Sequence, residues 1–261
     1  MLKFLSDTIN FLYVLNNLQK YPLNFFKEMK IKILLPIFFL VIASSLNAEI
    51  KVASILGDNM VLQRNTEVKL WGKASPNQKL VINTSWNKIV SSVTCSEKGD
   101  WLVKVKTTDA GGPYSISIKS GKESVVLKNI LLGEVWLCSG QSNMEMPVTG
   151  MASQPINGSN DALVDAENNN IRLFTVKKNA IASPQDTCYG SWSEASALSV
   201  ANFSAVGYFY AKLLQKSLHV PVGVINSSWG GSRVEPWMNN ESIVKFPEAY
   251  KRANQEKIYF M

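Results

Sequence analysis

The sequence predicts an α/β chain in two parts: an antiparallel β-sandwich module over residues 49–130, then an α/β domain built on a parallel sheet over residues 131–261. Three observations carry this. Between about residues 50 and 130, apolar and polar residues alternate at period two, and turn residues recur every 8–12 positions. From Ile130 the pattern changes to a nearly continuous apolar strand, a helix with one apolar face, and a second buried strand. Both strands then run into turns rich in Ser, Gly and Asn, as βα connections do.

In chain order, Met29–Ala48 comes first and reads as a secretory signal peptide. Lys30 and Lys32 form a charged start, Ile33–Ala43 is an apolar run of 11 residues, and small residues end at Ala48. The run falls short of the ~20 residues that a transmembrane helix needs. A leader counted from Met1 would be overlong, so Met29 is read as the true start, and the mature protein is expected to be secreted or periplasmic. The chain carries a net charge of +7. Five lysines (3, 20, 27, 30 and 32) against Asp7 and Glu28 place +3 of it in the leader region. The remaining Lys and Arg are scattered among acids, which argues against nucleic acid as a partner.

The sandwich strands are read at Val61-Leu62, Val68–Trp71, Leu80–Ile82, Trp101–Val105 and Tyr114–Ile118, with Gly72, Ser75–Asn77, Lys98–Asp100 and Gly111–Pro113 between them. Ile130–Cys138 is the first strand of the second part, and 151–170, rich in Asn, Ser, Asp and Gly, reads as an exposed loop. Ile171–Val176 is another strand. Phe203, Val206, Tyr210, Leu213 and Leu214 mark one face of a helix over 203–217, and Val222–Ile225 is a buried strand after Pro221. Ligands of such sheets sit at the carboxyl edge of the strands, where both unusual turns fall.

The first turn, Gly140-Gln141-Ser142-Asn143, offers a serine hydroxyl held clear of a sheet, with backbone N–H groups nearby for an oxyanion. It is not the G-x-S-x-G elbow, since Met144 stands where glycine is required. Taken alone, these residues read better as a helix-capping turn. In the second turn, Ser228–Ser232, Gly230 and Gly231 would let the backbone approach a ligand. Trp229 could stack on a sugar ring, and Arg233 and Glu235 could pair with each other or meet a polar substrate.

Together the motifs alter that balance. GEVWLCSGQSNMEMPV (133–148) and VPVGVINSSWGGSRVEPWM (220–238) resemble the sialate O-acetylesterase family, in the SGNH branch of serine esterases. LGDNMVLQR (56–64), LWGKASP (70–76), AGGPYSISI (110–118) and FSAVGYFYAKLL (203–214) carry the resemblance across residues 50–245. It implies a secreted esterase that removes acetyl groups from O-acetylated sialic acids or other acetylated glycans. Ser142 would be the nucleophile, and the Ser142 N–H and a glycine N–H of Gly230-Gly231 would form the oxyanion hole. Gln141, Asn143, Trp229, Arg233 and Glu235 would line the site, and the reaction would proceed through an acetyl-serine without metal or organic cofactor.

Serine needs a base, and the family's D-x-x-H and Q-G-E segments do not occur here. The single histidine, His219, lies at a helix-to-strand junction upstream of the second turn and reads as structural. The chain is therefore expected to be a truncated, SGNH-like esterase, weak or inactive alone and with one sheet edge left open. Two other readings remain: a non-catalytic secreted module that binds carbohydrate or protein, and half of a split enzyme completed by a C-terminal fragment. Cys95, Cys138 and Cys188 lack metal-ligand spacing, and their number leaves at least one unpaired within the chain.

Overall fold

The fold is that of a computed structural model, which describes residues 49–180 and 185–255. The leader read over 29–48 and the closing residues 257–261 lie outside the described residues. Eleven strands are formed: β1 (Lys51–Val52), β2 (Val61–Gln63), β3 (Glu67–Lys73), β4 (Lys79–Thr84), β5 (Val90–Thr94), β6 (Asp100–Lys106), β7 (Gly111–Ser120), β8 (Glu123–Gly140), β9 (Asn168–Thr175), β10 (Trp192–Ala195) and β11 (Val222–Ser228). The α-helices are α1 (Ser142–Glu145), α2 (Ser159–Val164), α3 (Ala197–Ala201), α4 (Ala205–Leu218), α5 (Asn240–Ile243) and α6 (Pro247–Gln255).

The sandwich follows from alternation. In β6 the side chains of Trp101, Val103 and Val105 are buried while Leu102, Lys104 and Lys106 face solvent, and β4 buries Leu80, Ile82 and Thr84 in the same rhythm. One sheet has the order β1-β3-β6, all antiparallel. Facing residues of β4, β7 and the first half of β8 meet it around Met60, Leu70, Ile82, Ile116, Ile118 and Ile130. Each such side chain, fully buried, contributes about 1.5–3 kcal/mol of transfer free energy.

β8 is the hinge of the architecture. Its first half pairs antiparallel with β7, and Leu131–Gly133 pairs parallel with β2. Its last seven residues pair parallel with β11, from Val222↔Glu134 to Ser228↔Gly140. The sheet continues through β9, parallel to β11, to β10, antiparallel at the edge. A mixed α/β sheet thus grows directly out of one sandwich sheet, in the order β10-β9-β11-β8-β7-β4-β5. The strand expected over Ile130–Cys138 is the second half of a much longer element. The described residues belong to one compact unit.

The far face of β9 and β11 is covered by α4, whose Ala205, Gly207, Tyr208 and Ala211 are buried with Ile171, Leu173, Val222 and Val224. Ser204 caps α4 by accepting from the Gly207 N–H at 3.1 Å. His219 ends it in the left-handed conformation, φ 55°, its N–H on the Gln215 carbonyl at 2.9 Å. The structure corrects the loop read over 151–170: α2 forms within it and β9 already begins at Asn168. The cause is composition, since Ser159, Asn160 and Asp161 suit a helix start as well as a loop.

Backbone direction alternates along β8. The Glu134 N–H bonds Pro221 and the Gly140 carbonyl accepts from Trp229, so even-numbered residues face β11. Leu131 bonds Met60, and the Val135 N–H meets the Gln63 side chain, so odd-numbered residues face the other way. No described strand pairs with Val135–Ser139 on that side. Leu137, at 66% exposure, lies on it, and Trp136 stacks edge-on against Tyr210 of α4 with ring centres 5.1 Å apart.

Candidate active site

Three parallel strands deliver their carboxyl ends to one place. The register sets Ser228 beside Gly140 and Asn226 beside both Cys138 and Thr175. Beyond these ends lie the Gln141–Glu145 turn after β8, the Trp229–Ser232 turn after β11, and Lys177-Lys178 after β9. The expected pairing of the two unusual turns at one sheet edge is what the register produces.

Ser142 opens α1 and is exposed. The helix is only one turn long, and its exit is tied down from α4: the Ala205 N–H bonds the Met146 carbonyl at 2.8 Å, and Val148 N–H bonds Phe203 at 3.0 Å. The Ser142 hydroxyl donates to the Gln141 side-chain oxygen at 3.4 Å. That amide oxygen is too weak a base to activate a serine. His219 does not supply one either. It precedes Val222, at the amino edge of the sheet, whereas Ser142 follows the carboxyl edge, and the seven residues of β11 put roughly 20 Å between the two edges.

The second turn presses on the first. Trp229 N–H bonds the Gly140 carbonyl at 2.9 Å. A Cβ on Gly230 would stand 3.7 Å from Ser142 Cα and 2.5 Å from Glu145 Oε2, so a side chain there would displace the Glu145 carboxylate. Gly231 has φ +78°, with open space on its Cβ side. The Gly230 N–H, one of the expected oxyanion donors, donates to the Glu145 carboxylate. The Ser142 N–H is in the first turn of α1, where no intrahelical acceptor exists.

The other expected residues are spread around this centre. Gln141 and Asn143 are exposed beside Ser142, and Trp229 is exposed with its ring under the Lys178 ammonium, 5.7 Å from the ring centre. Arg233 is exposed further along the same loop. Glu235 is only 6% exposed, opens a 3-10 turn at Glu235–Trp237, and faces Arg252 at 3.6 Å. Trp237 donates its indole N–H to Ser232 at 2.9 Å, which closes the loop on itself.

Sequence reasoning missed three residues here. Glu145 forms an ion pair with Lys178 while it accepts from Gly230. The Lys178 side chain, helped by the Gly230 N–H, holds the Glu145 carboxyl below its ordinary range against the opposing effect of burial. Asn226, buried on β11, accepts from the Ser228 hydroxyl at 2.8 Å. Glu145 was findable, since it stands three positions after Ser142 on one helical turn. Lys178 was not, because nothing near it in sequence points to β8. The three cysteines are free, Cys95 buried and Cys138 and Cys188 partly so, and burial pushes the Cys95 and Cys138 thiols up. No described helix is long and apolar enough to cross a membrane.

No family model matches the chain. Among curated proteins, the mouse sialate O-acetylesterase is 30% identical over 210 residues, covering 74% of this chain and 38% of that protein. The human sialate O-acetylesterase is 26% identical over 210 residues, covering 74% of this chain and 39% of its own. Among solved structures, a carbohydrate acetylesterase from Xanthomonas citri superposes with a TM-score of 0.70 at 33% identity, over 75% of this chain and 43% of that one. The chain thus spans well under half the length of the relatives it matches.

Proposed function

The chain belongs to the sialate O-acetylesterase family, and from that premise we propose that it is an acetylesterase-type hydrolase of O-acetyl groups on sialic acids or related acetylated sugars, with Ser142 as the nucleophile. The observation that carries this is the meeting of an exposed serine with a glycine turn at the carboxyl edge of the parallel strands. In this reading Ser142 Oγ attacks the acetyl carbonyl and the sugar hydroxyl leaves. Water then releases acetate from the acetyl-serine. Negative charge on the carbonyl oxygen is met by backbone amides of the two turns, the Ser142 N–H among them. Trp229 offers a face for a sugar ring, and Arg233 is a candidate for a sialate carboxylate. The leader read over 29–48 adds a site of action outside the cytoplasm.

Among the described residues the Ser142 hydroxyl meets only an amide oxygen, which supports a further clause: residues 49–261 alone are slow or silent, and turnover needs an aspartate–histidine pair from another polypeptide segment. The same observation favours a second reading, a non-catalytic module that binds acetylated glycan. The test is acetate release from O-acetyl sialic acid and from acetylated xylan, with residues 49–261 alone and mixed with the C-terminal part of a related acetylesterase. The expected result is turnover only in the mixture, reduced about 10³-fold or more by Ser142→Ala. Ser142-dependent turnover by the chain alone would refute the missing base, and turnover indifferent to Ser142→Ala would refute the nucleophile. Glycan binding with no turnover in either arm would leave the second reading standing.

A further inference from the structure

A single carboxylate gathers the ends of all three parallel strands. Glu145, on the turn after β8, directs Oε1 to the Lys178 ammonium beyond β9 and Oε2 to the Gly230 N–H beyond β11. By way of the Cβ position of Gly230, that carboxylate lies within about 6 Å of Ser142 Cα. An uncompensated negative charge there would oppose an oxyanion, so its pairing with a cation matters. Lys178 supplies that cation, and its ammonium also lies over the exposed Trp229 ring.

We propose that Glu145 is a positioning residue, neutralised by Lys178, whose carboxylate takes the Gly230 amide and so fixes the Trp229–Gly231 turn against Ser142. It follows that Gly230 N–H is structural and that oxyanion binding falls to the remaining amides of the two turns. The proposal rests on the esterase reading for its purpose, but the anchoring itself does not. Geometry gives each partner a separate part. Glu145 Oε2 is the acceptor that fixes the turn, and Lys178 fixes the carboxylate and the indole ring together. A glutamine at 145 keeps an acceptor for Gly230 and loses the ion pair, whereas alanine loses both.

The test is amide hydrogen exchange, read by mass spectrometry on peptides covering residues 226–233 of the 49–261 protein, in E145A, E145Q and K178M. Losing a hydrogen bond to a charged acceptor should speed exchange of that segment about tenfold or more in E145A. Peptides from β4, β7 and β9 should be unchanged. E145Q should restore protection to within about threefold of the parent, and K178M should fall between. Unchanged exchange at 226–233 in E145A would overturn the proposal, as would a uniform rise across the molecule or a failure of E145Q to restore protection. The measurement needs no turnover, so loosening at 226–233 in E145A together with no ester hydrolysis by the parent chain even when mixed with the C-terminal part of a related acetylesterase would sink the esterase reading and leave the anchor intact.

Discussion

Arg172 should be among the most costly polar side chains to remove. It lies in β9 beside Glu194 of β10, and its side chain is 2% exposed. Nε donates to the Asn169 carbonyl at 2.9 Å, Nη1 reaches Glu194 at 3.1 Å, and Nη2 reaches the Asn129 side chain at 3.3 Å. Asn129 in turn donates to Asn59 at 2.8 Å and to Glu194 at 2.7 Å, which knits the sandwich to the parallel sheet. Burial pulls the guanidinium's pKa down and Glu194 opposes the shift. Arg172→Met keeps the apolar stem and deletes every donor. The three shortest contacts at about 1 kcal/mol each give a loss of about 3 kcal/mol, to which the longer Nη1 contacts with Asn59 at 3.4 and 3.5 Å add little. That is the low end of the ~3–5 kcal/mol for breaking a buried pair. The low end fits because Glu194 is 39% exposed and can be rehydrated. For a domain of this size the melting temperature should fall by about 6–12 °C. Urea and thermal unfolding of R172M, E194Q and the double variant would measure it, with a coupling energy of about 1–2 kcal/mol expected. A loss below about 1 kcal/mol in R172M, or no coupling, would refute the idea that this network joins the two parts.

Three further outcomes are expected. Gly133→Ala should cost about 3 kcal/mol, because the new Cβ would stand 2.0 Å from the Pro221 carbonyl and neither backbone can yield; chemical denaturation checks it. Hydrogen bonds from Gln63 and Arg64 hold the Glu134 carboxyl below its ordinary range. Its contribution is therefore complete above the ordinary carboxylate value and lost as pH falls through the depressed one, so Glu134→Gln should flatten the acid side of a stability-versus-pH curve. Leu137→Lys, on the open edge of β8, should reduce self-association in light scattering without lowering the melting temperature.

Legibility followed burial. The alternation of DWLVKVK announced β6 because one face is fully buried, and the apolar run into SGQSNM announced the strand end that carries Ser142. The helix over 203–217 was read to within two residues, but from the wrong face: Val206 and Leu213 are exposed, and the small residues Ala205, Gly207 and Ala211 with Tyr208 are what pack on the sheet. β5, with the sequence VSSVT, escaped notice because it lies at a sheet edge and exposes most of its length. β10, only four residues of WSEA, is held by pairing with β9 and by Trp192 against Phe174, neither of which has a local signal. The same limit applies at the site. Ser142, Trp229 and the glycines stood in unusual local strings, whereas Lys178 and Arg172 act on partners from distant segments. The Arg252 that Glu235 faces likewise comes from a later helix, α6, with no local signal to announce the pair.

β8 sets a length standard for the molecule. Its 18 residues cover roughly 55 Å of contour, from the hairpin at Ser120–Glu123 to the glycine before Gln141, broken by a bulge where the register to β7 shifts and Asn129 stands at φ 55°. Beyond that bulge the register advances in steps of two, so one inserted or deleted residue in 131–139 would turn every later side chain of the strand over and move Ser142 by a full step. The loop at 149–158 carries no such count and can change length freely. Variation among natural or engineered forms of this chain should therefore accumulate after Ser142 and not before it. The sandwich, though far from the chemistry, then acts as the gauge block against which Ser142 is placed.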